Sequence, residues 1–316
     1  MRVFVTGGTG FAGSHLVDAL LAADHEVYAL MHAASSLHEL PAHPRLTVIT
    51  GDLMELPALQ EQMAAIKPDI IYHLAGQASP ALSWRDPART LAINAGGTAN
   101  ILEAALAGGR PRVLVVSSAD VYGPVAAADL PLTELTPIAP RHPYGVSKWA
   151  AGQLTRLYWE RYQLPAIEAR PFNHIGPRQA PGFVAPDFAS QLAAIKLGRQ
   201  PATLAVGNLA AERDFTDVRD VVGAYEALMA RGRPGECYLI CSGRAVSIDW
   251  LLRTLVEIAG IPVTITHDPA RMRPSDTPRL YGDYTKIRQD TGWQPQIPLR
   301  QSLADTFADW LQRLRE

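Results

Sequence analysis

The stretch Arg2-Val3-Phe4-Val5-Thr6-Gly7-Gly8-Thr9-Gly10-Phe11-Ala12-Gly13-Ser14-His15-Leu16-Val17-Asp18-Ala19-Leu20-Leu21 decides the fold of this chain. It opens with the β-branched and aromatic residues of a buried strand, passes through a glycine loop, and resumes from Phe11 at helical spacing. Gly8, Gly10 and Gly13 satisfy G-x-G-x-x-G, and Gly7, Gly10 and Gly13 satisfy the looser pattern of glycines three apart. Bare backbone in such a loop lets a pyrophosphate approach the amides at the helix N-terminus, where the dipole favours anions. A lone glycine motif is weak, but one that runs from a strand straight into a helix has the context it requires. Gly7, Gly10, Phe11, Ala12 and Gly13 are therefore expected to bind a dinucleotide.

Working outward, His25 to His32 reads as a second strand, whose end carries the ribose-binding acid in an NAD site. Here Met31 and His32 stand there. With no carboxylate to repel a 2′-phosphate and no arginine to attract one, NADP(H) or NAD(H) is expected, NADP(H) first. Two further strands end in Asp52-Leu53 and Leu74-Ala75-Gly76, at the carboxyl edge where cofactors sit. A helix containing Asn94 and a strand from Arg112 to Val116 continue the alternation. Strands alternating with helices imply an α/β fold with a doubly wound parallel sheet.

That last strand runs into Ser117-Ser118-Ala119-Asp120, and downstream stands Pro143-Tyr144-Gly145-Val146-Ser147-Lys148 at the start of an amphipathic helix. Tyr144 and Lys148, four apart, share one helix face. An ammonium beside a phenol favours phenolate and is expected to lower the tyrosine pKa from about 10. The chain has 10 tyrosines and four lysines, so chance supplies roughly 0.13 such pairs, and the pair gains its weight from its company. Ser118, at the carboxyl end of a strand, is placed to hold a substrate oxygen for the phenol.

At 316 residues and 47% hydrophobic content the chain can bury a full core. Its 29 basic and 31 acidic residues give a net charge of −2, so no global basic field draws it to nucleic acid or to an anionic membrane. No apolar run approaches the ~20 residues that span a bilayer, and a cytoplasmic location is expected. Cys237 and Cys241, in Cys-Tyr-Leu-Ile-Cys, read as small buried hydrophobes on one strand face, and no metal site is expected.

With the motifs Thr6-Gly7-Gly8-Thr9-Gly10-Phe11-Ala12-Gly13, Ser117-Ser118-Ala119-Asp120-Val121-Tyr122-Gly123 and Tyr144-x-x-x-Lys148, the chain resembles the extended short-chain dehydrogenase/reductase family that acts on nucleotide sugars. The resemblance implies that Ser118 polarises a sugar oxygen, that Tyr144 passes it a proton, and that Lys148 holds the nicotinamide ribose. It puts Asn94 in the cofactor neighbourhood, and Phe172 and His174 at the cofactor's edge. Arg170-Pro171-Phe172-Asn173-His174-Ile175-Gly176-Pro177-Arg178, Gly207-Asn208-Leu209-x-x-x-Arg213-Asp214-Phe215-Thr216-Asp217-Val218, Arg273-Pro274-Ser275-Asp276 and Thr291-Gly292-Trp293-Gln294-Pro295 resemble the GDP-sugar branch. By that resemblance Ser83, Ser118, Asn173, Arg178, Arg213, Arg273 and Asp276 contact the nucleotide sugar, and Arg213 and Arg273 could each give forked donors to its diphosphate. A Rossmann domain over 1–171 and 214–243, a smaller nucleotide-sugar lobe over 172–213 and 244–316, and a homodimer are expected on the same basis.

Within that branch, a 4,6-dehydratase needs an acid and a base beyond the tyrosine, which relatives carry in the two positions after the Ser/Thr. Here these are Ala119, which moves no proton, and Asp120, whose reach is short. Reduction of a keto group needs only a hydride from the nicotinamide and a proton from Tyr144. The expected reaction is therefore NAD(P)H-dependent reduction of the 4-keto group of a GDP-4-keto-6-deoxy-mannose to GDP-rhamnose. The alternatives are a GDP-mannose 4,6-dehydratase and a nucleotide-sugar C4 epimerase. A non-catalytic dinucleotide sensor is disfavoured because Ser118, Tyr144 and Lys148 are all present.

Overall fold

The opening strand, β1 (Arg2–Thr6), is buried beyond its first residue, as an apolar strand covered on both faces must be. In the computed structural model, which describes residues 1–32, 40–268 and 277–315, it turns through the glycine loop into α1 (Phe11–Ala22). Next come β2 (Glu26–Met31), β3 (Leu46–Thr50), α2 (Leu56–Ile66), β4 (Ile70–His73), and the short α3 (Pro80–Arg85) and α4 (Pro87–Leu91). A π-helical turn over Ala92–Gly96 leads into α5 (Gly97–Ala107), then β5 (Arg112–Val116), α6 (Pro143–Tyr162) and β6 (Ala166–Pro171). The chain continues through β7 (Asn173–Ile175), α7 (Val184–Lys196), β8 (Thr203–Val206), β9 (Glu212–Asp217), α8 (Val218–Arg231), β10 (Cys237–Ile240) and β11 (Ala245–Ser247). It ends with α9 (Ile248–Ala259), β12 (Thr264–His267), β13 (Arg279–Leu280), α10 (Thr285–Thr291) and α11 (Leu299–Arg313).

Seven parallel strands form the main sheet in the order β3-β2-β1-β4-β5-β6-β10. The chain starts at β1, winds outward to β3, then crosses back to β4, so a topological switch point lies between β1 and β4. Their carboxyl ends therefore diverge around the glycine loop. One face of the sheet packs on α1 and α8 through Leu16, Val17, Leu20, Tyr225 and Leu228, the other on α2, α5 and α6 through Leu59, Met63, Ile101, Leu102 and Ala151.

Smaller elements stand beyond the carboxyl edge. β9 pairs with β7, β11 and β13, and β8 pairs with β12. Their core joins α7, α9 and α11 through Phe188, Leu192, Leu251, Leu255, Leu303 and Phe307. Packing does not follow the expected lobe range throughout. Ile287 of α10 and Trp293 lie in the main-sheet cluster, and the Trp293 indole donates to the Asp220 carbonyl at 2.9 Å, so this late segment belongs to the larger core.

Alternation along β9 turns Arg213 toward a cleft and Asp214 into the interior. The Asp214 carboxylate accepts from the Ser242 amide (2.7 Å), the Ser242 hydroxyl (2.7 Å) and the Gly243 amide (3.0 Å), tying β9 to the turn after β10. Burial pushes its carboxyl up to about 6, against the pull of these donors. Asp214→Ala is expected to lower the unfolding free energy by about 3 kcal/mol, because buried amides lose their acceptor. Urea melts check this, and a loss below about 1 kcal/mol would show that water replaces the carboxylate.

Candidate functional site

The glycine loop is built by close approach. A Cβ on residue 13 would stand 2.0 Å from the Gly7 carbonyl oxygen, and one on residue 7, whose φ is +74°, would stand 2.7 Å from the Ala75 amide nitrogen. Only glycine fits either place. At Gly10 the surroundings are open, the Gly7 oxygen at 3.1 Å being the one neighbour of an added Cβ. The first turn of α1 carries no acidic side chain, so its unpaired amides keep their attraction for an anion. These features fit a dinucleotide pyrophosphate.

Beyond the loop, β5 and α6 bring Ser118, Tyr144 and Lys148 together. The Lys148 ammonium donates to the Val116 carbonyl at 2.8 Å, and the Ser117 hydroxyl donates to the Lys148 carbonyl at 3.1 Å. Ser118 lies close enough to Tyr144 to act on its phenol, and its Oγ accepts from the Asp120 amide at 3.1 Å. Burial pulls Lys148 down to about 8. The expected depression of the Tyr144 pKa by Lys148 is not found. Burial and the neighbouring Asp120 charge push the phenol up, and only Ser118 pulls it down. The ammonium is aimed at the end of β5, so the phenol is held in its protonated form.

A second network lies beneath. The π-helical turn points Asn94 inward, where its oxygen accepts from the Gln77 amide (2.8 Å) and its nitrogen donates to the Gln77 carbonyl (3.0 Å) and to Ser147 Oγ (2.9 Å). Asn94 thus shapes the loop at Gly76, where an added Cβ would meet its Oδ1 at 2.7 Å. His73, at the end of β4, joins Thr6 (2.8 Å) to Thr98 (3.0 Å). Thr6 Oγ1 accepts from the Ala75 amide and Thr98 donates to the Asn94 carbonyl. This order fixes a neutral imidazole with its proton on Nε2. Burial, aided by the Lys148 charge, pulls its pKa down to about 3.

A cleft of about 520 Å³ opens between the sheet edge and the smaller elements. Asp120, Arg141, His142, Val184, Phe188 and Arg213 are among its lining residues. The Arg213 guanidinium donates to the Glu212 carbonyl at 2.8 Å, and burial lowers its pKa while the Asp120 charge raises it. His142 caps α6: its Nδ1 accepts from the Gly145 amide at 2.9 Å. Its Nε2 lies 3.7 Å from Asp120 Oδ2. Burial raises the Asp120 pKa, against the lowering effect of His142 and Arg213. Arg141 and His142 were not singled out in the sequence, where they are the two residues before an expected helix-starting proline.

A family model for GDP-mannose 4,6 dehydratase matches residues 4–306. The chain belongs to that family. Over 316 residues it is 42% identical to GDP-6-deoxy-D-mannose reductase of Pseudomonas aeruginosa, covering 100% of this chain and 99% of that protein. It is 33% identical over 311 residues to UDP-glucose 4-epimerase of Mycolicibacterium smegmatis, covering 97% of both. The solved structure of RMD from Pseudomonas aeruginosa complexed with NADPH matches with a TM-score of 0.85 at 38% identity, covering 99% of each chain.

In this member of the GDP-mannose 4,6-dehydratase family several expected contacts point elsewhere. The Ser83 hydroxyl is buried and donates to the Pro80 carbonyl at 2.7 Å inside α3. Arg178 pairs with Asp18 of α1 at 2.7 Å, and its amide bonds Asp309 of α11, so it clamps a loop instead of lining the cleft. Asn173 is exposed on β7 and is not among the cleft residues. Phe172 packs in an apolar cluster with Val121, Tyr122, Leu132 and Leu239, a core position. His174 stacks on Phe11 at 5.6 Å and bonds the Phe172 carbonyl, a packed residue beside the glycine loop. His32 is exposed 3.5 Å from Asp52, which accepts from the Met54 amide, and Leu53 packs against Gly97. Arg273 and Asp276 lie outside the described residues.

The depressed His73 pKa carries a testable sign. The unfolded state binds a proton near 6.5, the folded state near 3, so the stabilisation is complete above about 6.5 and is lost as pH falls toward 3. Between about pH 5 and 6 the unfolding free energy of the wild type is expected to drop by up to about 1.4 kcal/mol per pH unit more than that of His73→Gln. Chemical melts across this range check it, and equal slopes would show that His73 takes up a proton in the folded protein.

Proposed function

We propose that the protein reduces the 4-keto group of GDP-4-keto-6-deoxy-mannose with NADPH or NADH, giving GDP-rhamnose. The observation that carries this reading is the meeting of Ser118 with a protonated Tyr144 beside a cleft where position 119 is alanine. One proton donor faces the site of a developing alkoxide, and residue 119 has no group to move a second proton. The full-length 42% identity to a GDP-6-deoxy-D-mannose reductase supports the substrate class, and the relative complexed with NADPH supports NADP(H).

The backbone of Gly7 to Gly13 would hold the pyrophosphate, and Lys148 the ribose next to the nicotinamide. When bound, the reduced dinucleotide supplies the hydride. Ser118 orients the keto oxygen, and Tyr144, kept protonated by burial, gives its proton to that oxygen as charge develops there. Arg213, with Arg141 at the rim, places positive charge where a diphosphate would enter. A two-lobe division, with the smaller elements beyond the sheet edge taking the nucleotide sugar, follows from this arrangement.

We also assign a homodimer that pairs through α6. Val146, Trp149 and Leu157 are exposed on one stripe of that helix, at 37%, 40% and 54%, as a face covered by a partner would be. No described helix is long and apolar enough to cross a membrane. The free thiols of Cys237 and Cys241 suit the reducing cytoplasm, where we place the reaction.

The keto sugar mixed with wild type and NADPH or NADH is expected to be consumed in step with the nicotinamide absorbance, with GDP-mannose unchanged. Keto sugar formed from GDP-mannose without reductant would instead establish a lyase that uses Asp120. Tyr144→Phe is expected to cut turnover by about 10² or more while leaving dinucleotide affinity nearly intact. Near-normal turnover would remove the phenol from the chemistry. Leu157→Glu is expected to convert the dimer to monomer in light scattering, and an unchanged mass would place the interface elsewhere.

A further inference from the structure

We propose that Arg170 and Tyr122 are positioning residues for the reduction, holding the turn that carries Ser118 in place against Tyr144. The proposal rests on the reductase reading. Along β6, Ala166, Glu168 and Arg170 alternate onto the side of the sheet that faces α6. Ala166 belongs to the apolar cluster there, but toward the carboxyl edge the strand buries two charges, Glu168 at 5% and Arg170 at 3% exposure. Neither these nor Tyr122 is among the residues that line the cleft, so they act on the reaction through other groups.

Each charge is aimed. Arg170 Nε and Nη2 donate to the two oxygens of Glu168 at 2.7 and 3.0 Å, and Nη1 donates to the Tyr122 hydroxyl at 2.8 Å. Burial opposes the charge of Arg170, and Glu168 more than offsets it. A forked pair fixes the plane of the guanidinium, so the remaining bond fixes where the Tyr122 oxygen stands. On its other side Glu168 abuts α6, since a Cβ on Gly152 would lie 2.3 Å from its Oε1. Gly152 stands about one helical turn beyond Lys148 and about two beyond Tyr144. The network therefore runs from the helix that carries Tyr144 to the turn that carries Ser118.

That turn needs an outside anchor. From Ser118 to Tyr122 the chain makes one 3₁₀ turn, over Ala119–Val121, whose own backbone bonds are Val121 to Ser118 at 3.4 Å and Tyr122 to Ala119 at 3.1 Å. Hydrogen-bond geometry in such short pieces is poor. The Tyr122 side chain is 0% exposed and packs with Val121, Leu132, Phe172 and Leu239. Apolar contact sets its depth but has no direction, and the bond from Arg170 supplies the direction. A buried ion pair is often no more stabilising than apolar side chains of the same volume, so the contribution of these charges is aim.

The test must separate aim from folding. Tyr122→Phe keeps the ring and removes only the hydroxyl. Tyr122→Phe combined with Glu168→Leu and Arg170→Met replaces the whole network by apolar groups, leaves none of its members unpaired, and is expected to melt at or above the wild-type temperature. With keto sugar and NADPH, both variants are expected to lose about tenfold in kcat, because a small misplacement of reacting groups is costly. KM and the NADPH dissociation constant should stay within about twofold of wild type, with rates counted per NADPH-binding site so that unfolded protein does not enter. In a Ser118→Ala background, Tyr122→Phe should cost less than about twofold, since the group it aims is gone. Wild-type kcat in the triple variant would reduce the network to packing and overturn the proposal, as would a loss confined to KM or a tenfold loss that persists in Ser118→Ala. A wild-type protein that reduces no keto sugar with either cofactor would overturn the reductase reading itself, an outcome seen before any variant is made.

Discussion

A buried ammonium must find an acceptor, and in this protein the acceptor is the carbonyl that ends β5. Lys148 donates to Val116 at 2.8 Å, and Ser117 donates back to the Lys148 carbonyl, so the first turns of α6 are fastened to the strand end that carries Ser118. Breaking such a pairing strands a charge in low dielectric, typically at several kcal/mol. The register of helix against strand is therefore unique, and with it the meeting of Tyr144 and Ser118. Gly145 completes the fit, since a Cβ there would lie 2.6 Å from the Asp120 carbonyl oxygen. The same closeness lets the Gly145 amide reach His142 and turns that ring toward Asp120.

Burial also sets the protonation of the site. Taking Lys148 and Tyr144 out of water disfavours the charged form of each, lowering one pKa and raising the other. Spacing four apart on a helix invites the thought that each stabilises the other's ion. In the folded protein the ammonium turns to a backbone carbonyl and the phenol to Ser118 and the Asp120 side of the cleft. A protonated phenol is the form a keto reduction needs at its start, so the proposed direction of reaction and the buried surroundings of Tyr144 agree.

The strand-loop-helix opening, the parallel sheet and the meeting of Ser118, Tyr144 and Lys148 were legible because each rests on local spacing or on strict alternation. What escaped reading depends on partners distant in the chain. His73 looks like the last residue of an apolar strand until Thr6, 67 residues earlier, and Thr98, 25 residues later, fold against its two nitrogens. Arg178 reads as a nucleotide-sugar contact, yet its left-handed backbone at φ +69° and its pairing with Asp18 make it a clamp between α1 and the loop. Ser83 reads as a free hydroxyl, but a serine in a first helical turn can bond back to a carbonyl, and this one does. His142 was hidden for the opposite reason. Residues before a helix-starting proline read as loop, and only the capping geometry reveals where the second ring nitrogen points.

Position 119 shows how packing and chemistry constrain each other. The Ala119 methyl is 4% exposed and belongs to the apolar cluster of Val121, Tyr122, Leu132, Phe172 and Leu239. Ala119 also lines the cleft, so a carboxylate or hydroxyl put there would stand between the two, and the part turned to the cluster would lack a partner, at a cost of about 1–3 kcal/mol for the hydroxyl and more for the charge. An acid at 119 would thus require the wall behind it to change, with polar groups among Phe172, Leu132 and Leu239. Asp120, one residue on, points into the cleft and is answered there by His142 and Arg213. The wall therefore admits one proton carrier beside the tyrosine and disfavours a second, and that asymmetry suits a reaction in which a proton is added once and no hydroxyl has to be expelled.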